Sequence, residues 1–87
     1  MPWKIEFTSK AEKQFAKLDT QTQQIIAHYL DQLLTYENPT MVGKSLVGDF
    51  TGLWRYRVGK YRIICELQHE RLVIEIIRVA KRDKVYH

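Results

Sequence analysis

The spacing of apolar residues changes at Leu53, and that change constrains the fold more than any single motif. Before it, apolar residues recur at helical intervals. Ala11, Phe15 and Leu18 fall at i, i+4, i+7, and Ile25, Ile26, Tyr29, Leu30, Leu33 and Leu34 form a second, longer stripe. After it, segments 53–58, 61–67 and 72–79 are rich in β-branched and aromatic residues, as strands are. A short strand should precede the helices, since Trp3, Ile5 and Phe7 alternate with Lys4 and Glu6. Helices gathered in the first half and strands in the second predict an α+β fold. The N-terminal strand is followed by a helical hairpin and a three-stranded antiparallel β meander, with the helices packed on one face of an antiparallel sheet.

Local chemistry sets the expected boundaries. Ser9-Lys-Ala-Glu12 is a capping-box pattern that should start the first helix, and Asp19 or Thr20 should end it. Thr20-Gln-Thr-Gln23 is a weaker box opening the second helix, which should stop near Asn38-Pro39 because proline disfavours a helical residue before it. Residues 39–52 hold three glycines and no sustained period, so they read as a connection. Gly59-Lys60 is a two-residue hairpin turn, and a second turn falls near His69-Glu70. That second turn leaves the register of the last strand open, and a one-residue shift would carry Arg78 from one side of the sheet to the other.

With 87 residues, 45% of them hydrophobic and 28% charged, the chain reads as a single domain spanning 1–87. A domain of this size buries only about 60 to 65% of its unfolded surface, so a shallow working surface is expected rather than a deep cavity. No run of about 18 apolar residues occurs, and the opening MPWKIEF alternates, so the chain reads as cytoplasmic and without membrane contact. The single cysteine, Cys65, allows neither an intrachain disulfide nor a thiolate metal cluster, and reads as an inert core thiol.

Charge is distributed unevenly. Residues 1–52 carry five basic and six acidic residues, whereas residues 53–87 carry nine and four. Clustered Lys and Arg attract phosphates in a way that evenly mixed charge does not. If Gly59-Lys60 is the turn, Arg57 lies opposite Arg62 and Arg55 opposite Ile64, which puts Arg55, Arg57 and Arg62 on one face. Trp54, Tyr56, Val58, Tyr61, Ile63 and Cys65 then lie on the other. Opposed like charges destabilise a sheet, and a bound anion would relieve them, as would splaying into water or pairing with Glu66. The tail adds Lys81, Arg82, Lys84, Tyr86 and His87. His28, His69 and His87 show no metal-ligand spacing, and neither a Gly-rich phosphate loop nor a serine-nucleophile motif occurs. Any chemistry must therefore come from basic residues acting on a polyanion.

These residues resemble the RelE/ParE superfamily of bacterial toxin–antitoxin toxins. The likeness is carried by Leu46-x-Gly48, Gly52-Leu-Trp-Arg-Tyr-Arg57, Gly59-Lys-Tyr-Arg62 and Arg78-Val-Ala-Lys81-Arg82-Asp-Lys-Val-Tyr86. It spans the whole chain and implies a RelE-like fold. Lys81 stands where a histidine is common in the RelE branch, and Asp83 where a second arginine is common. The resemblance implies a metal-independent, cofactor-free mRNA interferase that cuts messages in the ribosomal A site, the RNA 2′-hydroxyl attacking the adjacent phosphate. It assigns catalysis to Arg62, Lys81, Arg82 and Tyr86, and RNA contacts to Arg55, Arg57, Lys60, Lys84 and His87.

Proton transfer would fall to Lys81, its ammonium crowded by Arg62 and Arg82, with His87 as the substitute. Arg55 and Arg57 replace lysines found in some members, and arginine is a poor proton acceptor. A RelB-like antitoxin is the implied partner, and the pair would bind its own promoter DNA through the antitoxin. The same resemblance leaves room for a ParE-like inhibitor of DNA gyrase, or for an inactive relative that only binds RNA or antitoxin.

Overall fold

The computed structural model describes residues 3–81. β1 (Lys4–Phe7) leads through Thr8 into α1 (Ser9–Ala16), and α2 (Thr20–Leu33) follows directly. Both helices start on a side-chain cap, each one residue ahead of the predicted capping box. Thr8 Oγ1 accepts the Ala11 N–H at 3.2 Å, and Asp19 Oδ1 accepts that of Thr22 at 3.2 Å. Gln23 does not reach back to its own helix start. Its Nε2 donates to the carbonyls of Phe15 (3.0 Å) and Ala16 (3.4 Å), occupying the last carbonyls of α1 and closing the hairpin.

α2 ends at Leu33, short of Asn38-Pro39, and tighter i to i−3 bonds from Leu34, Thr35 and Tyr36 unwind it. Asn38 instead caps the short turn Pro39–Met41, its Oδ1 accepting from the Thr40 N–H at 2.9 Å.

The remaining strands are β2 (Lys44–Ser45), β3 (Trp54–Val58), β4 (Tyr61–Gln68) and β5 (Val73–Lys81). Among the described residues they form one sheet with β1, in the order β1-β5-β4-β3-β2. The meander β3-β4-β5 is antiparallel as predicted, and Gly59 supplies the positive φ (57°) at its first turn. The sheet as a whole is mixed, which corrects the antiparallel expectation: β1 runs parallel to β5, from Lys4 opposite Val73 to Phe7 opposite Ile76. A parallel pair needs a long crossover, and everything between β1 and β5 serves as that crossover. β2, inside the segment read as a connection, is a further strand pairing with Trp54 and Arg55.

One face of the sheet is covered by the helices. Ala11, Ile26, Leu30 and Leu33 pack there on Tyr56, Val58, Ile63, Cys65, Ile74, Ile76 and Val79. Each large aliphatic side chain buried in this way contributes about 1.5–3 kcal/mol. The opposite face has a much smaller cluster, Leu46 and Ile64 with Phe50, Leu53, Ile77 and Ala80 around them. Among the described residues, no helix is long and apolar enough to cross a membrane.

Candidate functional site

The register places the basic residues. Arg57 is opposite Arg62, and Arg62 is opposite Ala80, so these three form one row across β3, β4 and β5. The adjacent row runs Lys44, Arg55, Ile64, Arg78. Paired residues share a side, so Lys44, Arg55, Arg57, Arg62 and Arg78 all belong to the face turned away from the helices. The shared face of Arg55, Arg57 and Arg62 is as the hairpin pairing predicts. Arg62 is only 4% exposed, with the small Ala80 on one side and Arg57 on the other, whereas Arg57 is exposed. The guanidinium that anchors the group is thus sheltered, and its cross-strand neighbour faces solvent.

Arg78 reaches this face through a bulge. Cys65 pairs with Ile76 but Ile64 pairs with Arg78, so Ile77 is an extra residue in β5. Strict alternation from the buried Ile76 would turn Arg78 into the helix-covered core. The inserted residue turns it outward beside Ile64 instead, and Ile77 joins the small cluster on that side. Sequence reasoning left Arg78 unassigned because the turn near His69-Glu70 left the register open, and the bulge that decides its side has no signature in apolar periodicity.

The face changes sign along its length. Beyond Ile64 the next row holds Glu66 opposite Glu75, with Gln68 Nε2 donating to both carboxylates at 3.2 Å. Glu66 therefore stands two rows from Arg62. Arg71, part of the basic C-terminal third, sits in the β4–β5 turn and pairs with Glu6 at 3.6 Å, away from the arginine rows.

Lys81 requires a correction. It pairs with Tyr61, which puts it on the side of Tyr61 and Ile63, opposite to that of Arg62. Crowding by Arg62 is therefore not what the register provides. Lys60 lies exposed in the β3–β4 turn. Arg82, Lys84, Tyr86 and His87 fall outside the described residues. Cys65 is fully buried and its thiol is pushed far up by burial, so it stays protonated within the core. His28 is exposed on α2, and His69 packs edge-on against Trp3 with ring centroids 5.4 Å apart.

Chemically, a row of guanidinium groups can hold phosphate oxygens bidentately and offset negative charge that grows on them during a displacement. It cannot take a proton near neutrality. A groove of about 480 Å³ lies on the helix side of the sheet between β1, α1 and α2, lined by Ile5, Phe7, Phe15, Leu30 and Leu34 together with the charged Lys4, Glu12 and Asp31.

Known proteins share this family and fold. Residues 5–86 match the family model described as ParE toxin of type II toxin–antitoxin system, parDE. The chain is 29% identical over 86 residues to toxin RelG of Mycobacterium tuberculosis (strain ATCC 25618 / H37Rv), covering 99% of this chain and 98% of that one. Among solved structures, the toxin–antitoxin complex RelBE2 from Mycobacterium tuberculosis is similar with a TM-score of 0.83 and 28% identity, over 94% of this chain and 100% of that one. The isolated E. coli RelE toxin shares the fold, with a TM-score of 0.73 and 21% identity over 97% and 90% of the two chains.

Proposed function

Because the chain belongs to the ParE toxin family of type II toxin–antitoxin systems, within the RelE/ParE superfamily, we propose that it is a ribosome-dependent mRNA endoribonuclease. The observation that carries this reading is the convergence of Arg55, Arg57, Arg62 and Arg78 on one face, with Arg57 and Arg62 directly opposed. Two opposed guanidinium groups on that face offer a phosphate donors from both strands at once.

In the proposed reaction the 2′-hydroxyl of one nucleotide attacks its own 3′-phosphate in line. The new O2′–P bond forms as the bond to the 5′-oxygen of the next nucleotide breaks, leaving a 2′,3′-cyclic phosphate. The 2′-hydroxyl proton goes to a base, and the departing 5′-oxygen receives one. Arg62 and Arg57 hold the non-bridging oxygens and stabilise the charge that grows on them, and Arg55 extends the hold along the strand. Arg82 is assigned to the same phosphate and Tyr86 to orienting or stacking the substrate. Lys60, Lys84 and His87 contact the RNA backbone. Proton transfer is left to His87 in the C-terminal segment, because Lys81 leaves the sheet on the side away from Arg62. The RNA supplies the nucleophile, so the route needs neither metal nor cofactor. A shallow face cannot bend RNA into line by itself, and the decoding centre would provide that geometry.

Its partner would be a RelB-like antitoxin whose acidic segment neutralises the arginine face, the pair binding promoter DNA through the antitoxin. The RelBE2 toxin–antitoxin complex named above supports an antitoxin partner. A second reading, inhibition of DNA gyrase, is favoured by the ParE description of the matching family.

Reconstituted translating ribosomes with a defined A-site codon, mapped by primer extension, test the proposal beside a gyrase supercoiling assay. Site-specific cuts that disappear in Arg62→Ala support the interferase. Gyrase inhibition without cuts replaces it with the second reading, and neither activity leaves a protein that only binds.

A further inference from the structure

At the free side of β3, where the two-residue β2 ends, lies a pocket of about 210 Å³ lined by Tyr29, Gly43, Lys44, Arg55 and Arg57. Its walls are held in place from below. Tyr56 donates its hydroxyl to the Pro39 carbonyl at 2.7 Å, and Trp54 Nε1–H donates to the Val42 carbonyl at 2.9 Å, so the segment before β2 is fastened to β3. Gly43 makes the closest approach. Its φ is +81°, and a Cβ there would lie 2.6 Å from the Arg55 carbonyl oxygen and 2.5 Å from Trp54 Nε1, so only glycine brings Lys44 this near.

The lining has a consistent chemistry. Every charged residue in it is a cation, and Lys44 stands directly across from Arg55. Tyr29 adds an aromatic wall from α2, steadied by the tilted ring of Tyr56 with centroids 6.0 Å apart. Burial raises the Tyr29 phenol, which stays neutral and carries no charge to repel a phosphate. The volume is below the ~300 Å³ of ordinary small-molecule sites, which suits one planar base with its phosphate at the mouth. Arg57 belongs both to this pocket and to the row that contains Arg62.

We propose that this pocket is a nucleotide subsite of single-stranded RNA, in which Tyr29 stacks a base while Lys44 and Arg55 hold the phosphate adjacent to the one at Arg57 and Arg62. This rests on the interferase reading and extends it by one nucleotide. Aromatic stacking combined with a cationic groove is the general way proteins hold single strands. An acidic peptide would use the cations but gain little from the ring.

The test is fluorescence anisotropy with a labelled 2′-O-methyl hexanucleotide, which cannot be cleaved, measured across a salt series, with poly-L-glutamate as a second probe. Thermal unfolding confirms that each variant is folded. Lys44→Gln is expected to weaken RNA binding and to lower the slope of log K against log salt by about 0.7, the share of one released counterion. Tyr29→Leu is expected to weaken RNA binding about fivefold or more with the slope unchanged. Tyr29→Phe should bind as the parent does, and the Tyr29 variants should leave poly-L-glutamate binding unchanged. Parent-like RNA affinity in Tyr29→Leu, or equal losses for both probes, overturns the subsite while leaving the interferase reading intact. Absence of ribosomal cleavage and of RNA binding by the parent protein overturns both.

Discussion

The two faces of the sheet are built from the same strands and do opposite work. On the helix side, Tyr56, Ile63, Cys65, Ile74 and Ile76 are sealed beneath α1 and α2. On the other side, neighbouring positions of the same strands carry Arg55, Arg57, Arg62 and Arg78 around the small Leu46–Ile64 cluster. Ile63 and Arg62 are consecutive, and the pleat sends one into the core and the other to the cationic face. Stability is concentrated in one layer, which leaves the other layer free to hold charges that repel one another. Catalytic and binding surfaces tolerate such local conflict when the rest of the fold supports it.

If the division is real, changes on the two faces should separate stability from activity. The largest effect is expected for Ile63→Ala, which should lower unfolding free energy by about 2–5 kcal/mol in urea titrations while the folded fraction keeps its cleavage pattern. Arg62→Ala should do the reverse: cleavage on programmed ribosomes falls by about 10²–10³, as for loss of a donor to a developing oxyanion, and the protein stays folded by circular dichroism.

Deleting Ile77 tests the bulge. Without the extra residue, Arg78 cannot lie outward beside Ile64 while Ile76 stays in the core, so the variant should lose both stability and activity, and a further Arg78→Leu change should restore stability only. Tyr56→Phe removes the buried hydroxyl that fastens the Pro39 carbonyl and should cost about 1–3 kcal/mol.

The smallest change expected concerns Asp19. Its carboxyl is held below the ordinary value of 3.8 by the hydrogen bonds from Thr22, so the cap stabilises the fold above that value and its contribution fades as pH falls through the lowered one. The stability gap between the parent and Asp19→Ala should therefore be present at neutral pH and close in acid, with ribosomal cleavage unaffected.

Much of this division is legible in the chain itself. Alternation through 54–58 and 61–65 about a Gly-Lys turn assigns Arg55, Arg57 and Arg62 to one side, because a two-residue loop fixes register and register fixes faces. The features that escape are those without a local signal. The parallel pairing of β1 with β5 joins residues nearly seventy positions apart, from Lys4 to Val73. β2 has only two residues, too few for a period to show. The bulge at Ile77 decides the side of Arg78, which the sequence left open, and the register of Lys81 beside Tyr61 follows from the same insertion. At the helix starts, Thr8 and Ser9 are both good capping residues, and the backbone turns at the first of them.

The account stands on Arg57 and Arg62 gripping one phosphate together, and a double-mutant cycle on cleavage rate measures that directly. Arg57→Ala, Arg62→Ala and the double variant, each assayed on the same programmed ribosomes, should show a coupling of about 1 kcal/mol or more, since either loss removes part of the other's effect. Losses that add to within about 0.5 kcal/mol would mean that the two arginines act at separate places, and the shared-phosphate site would be wrong.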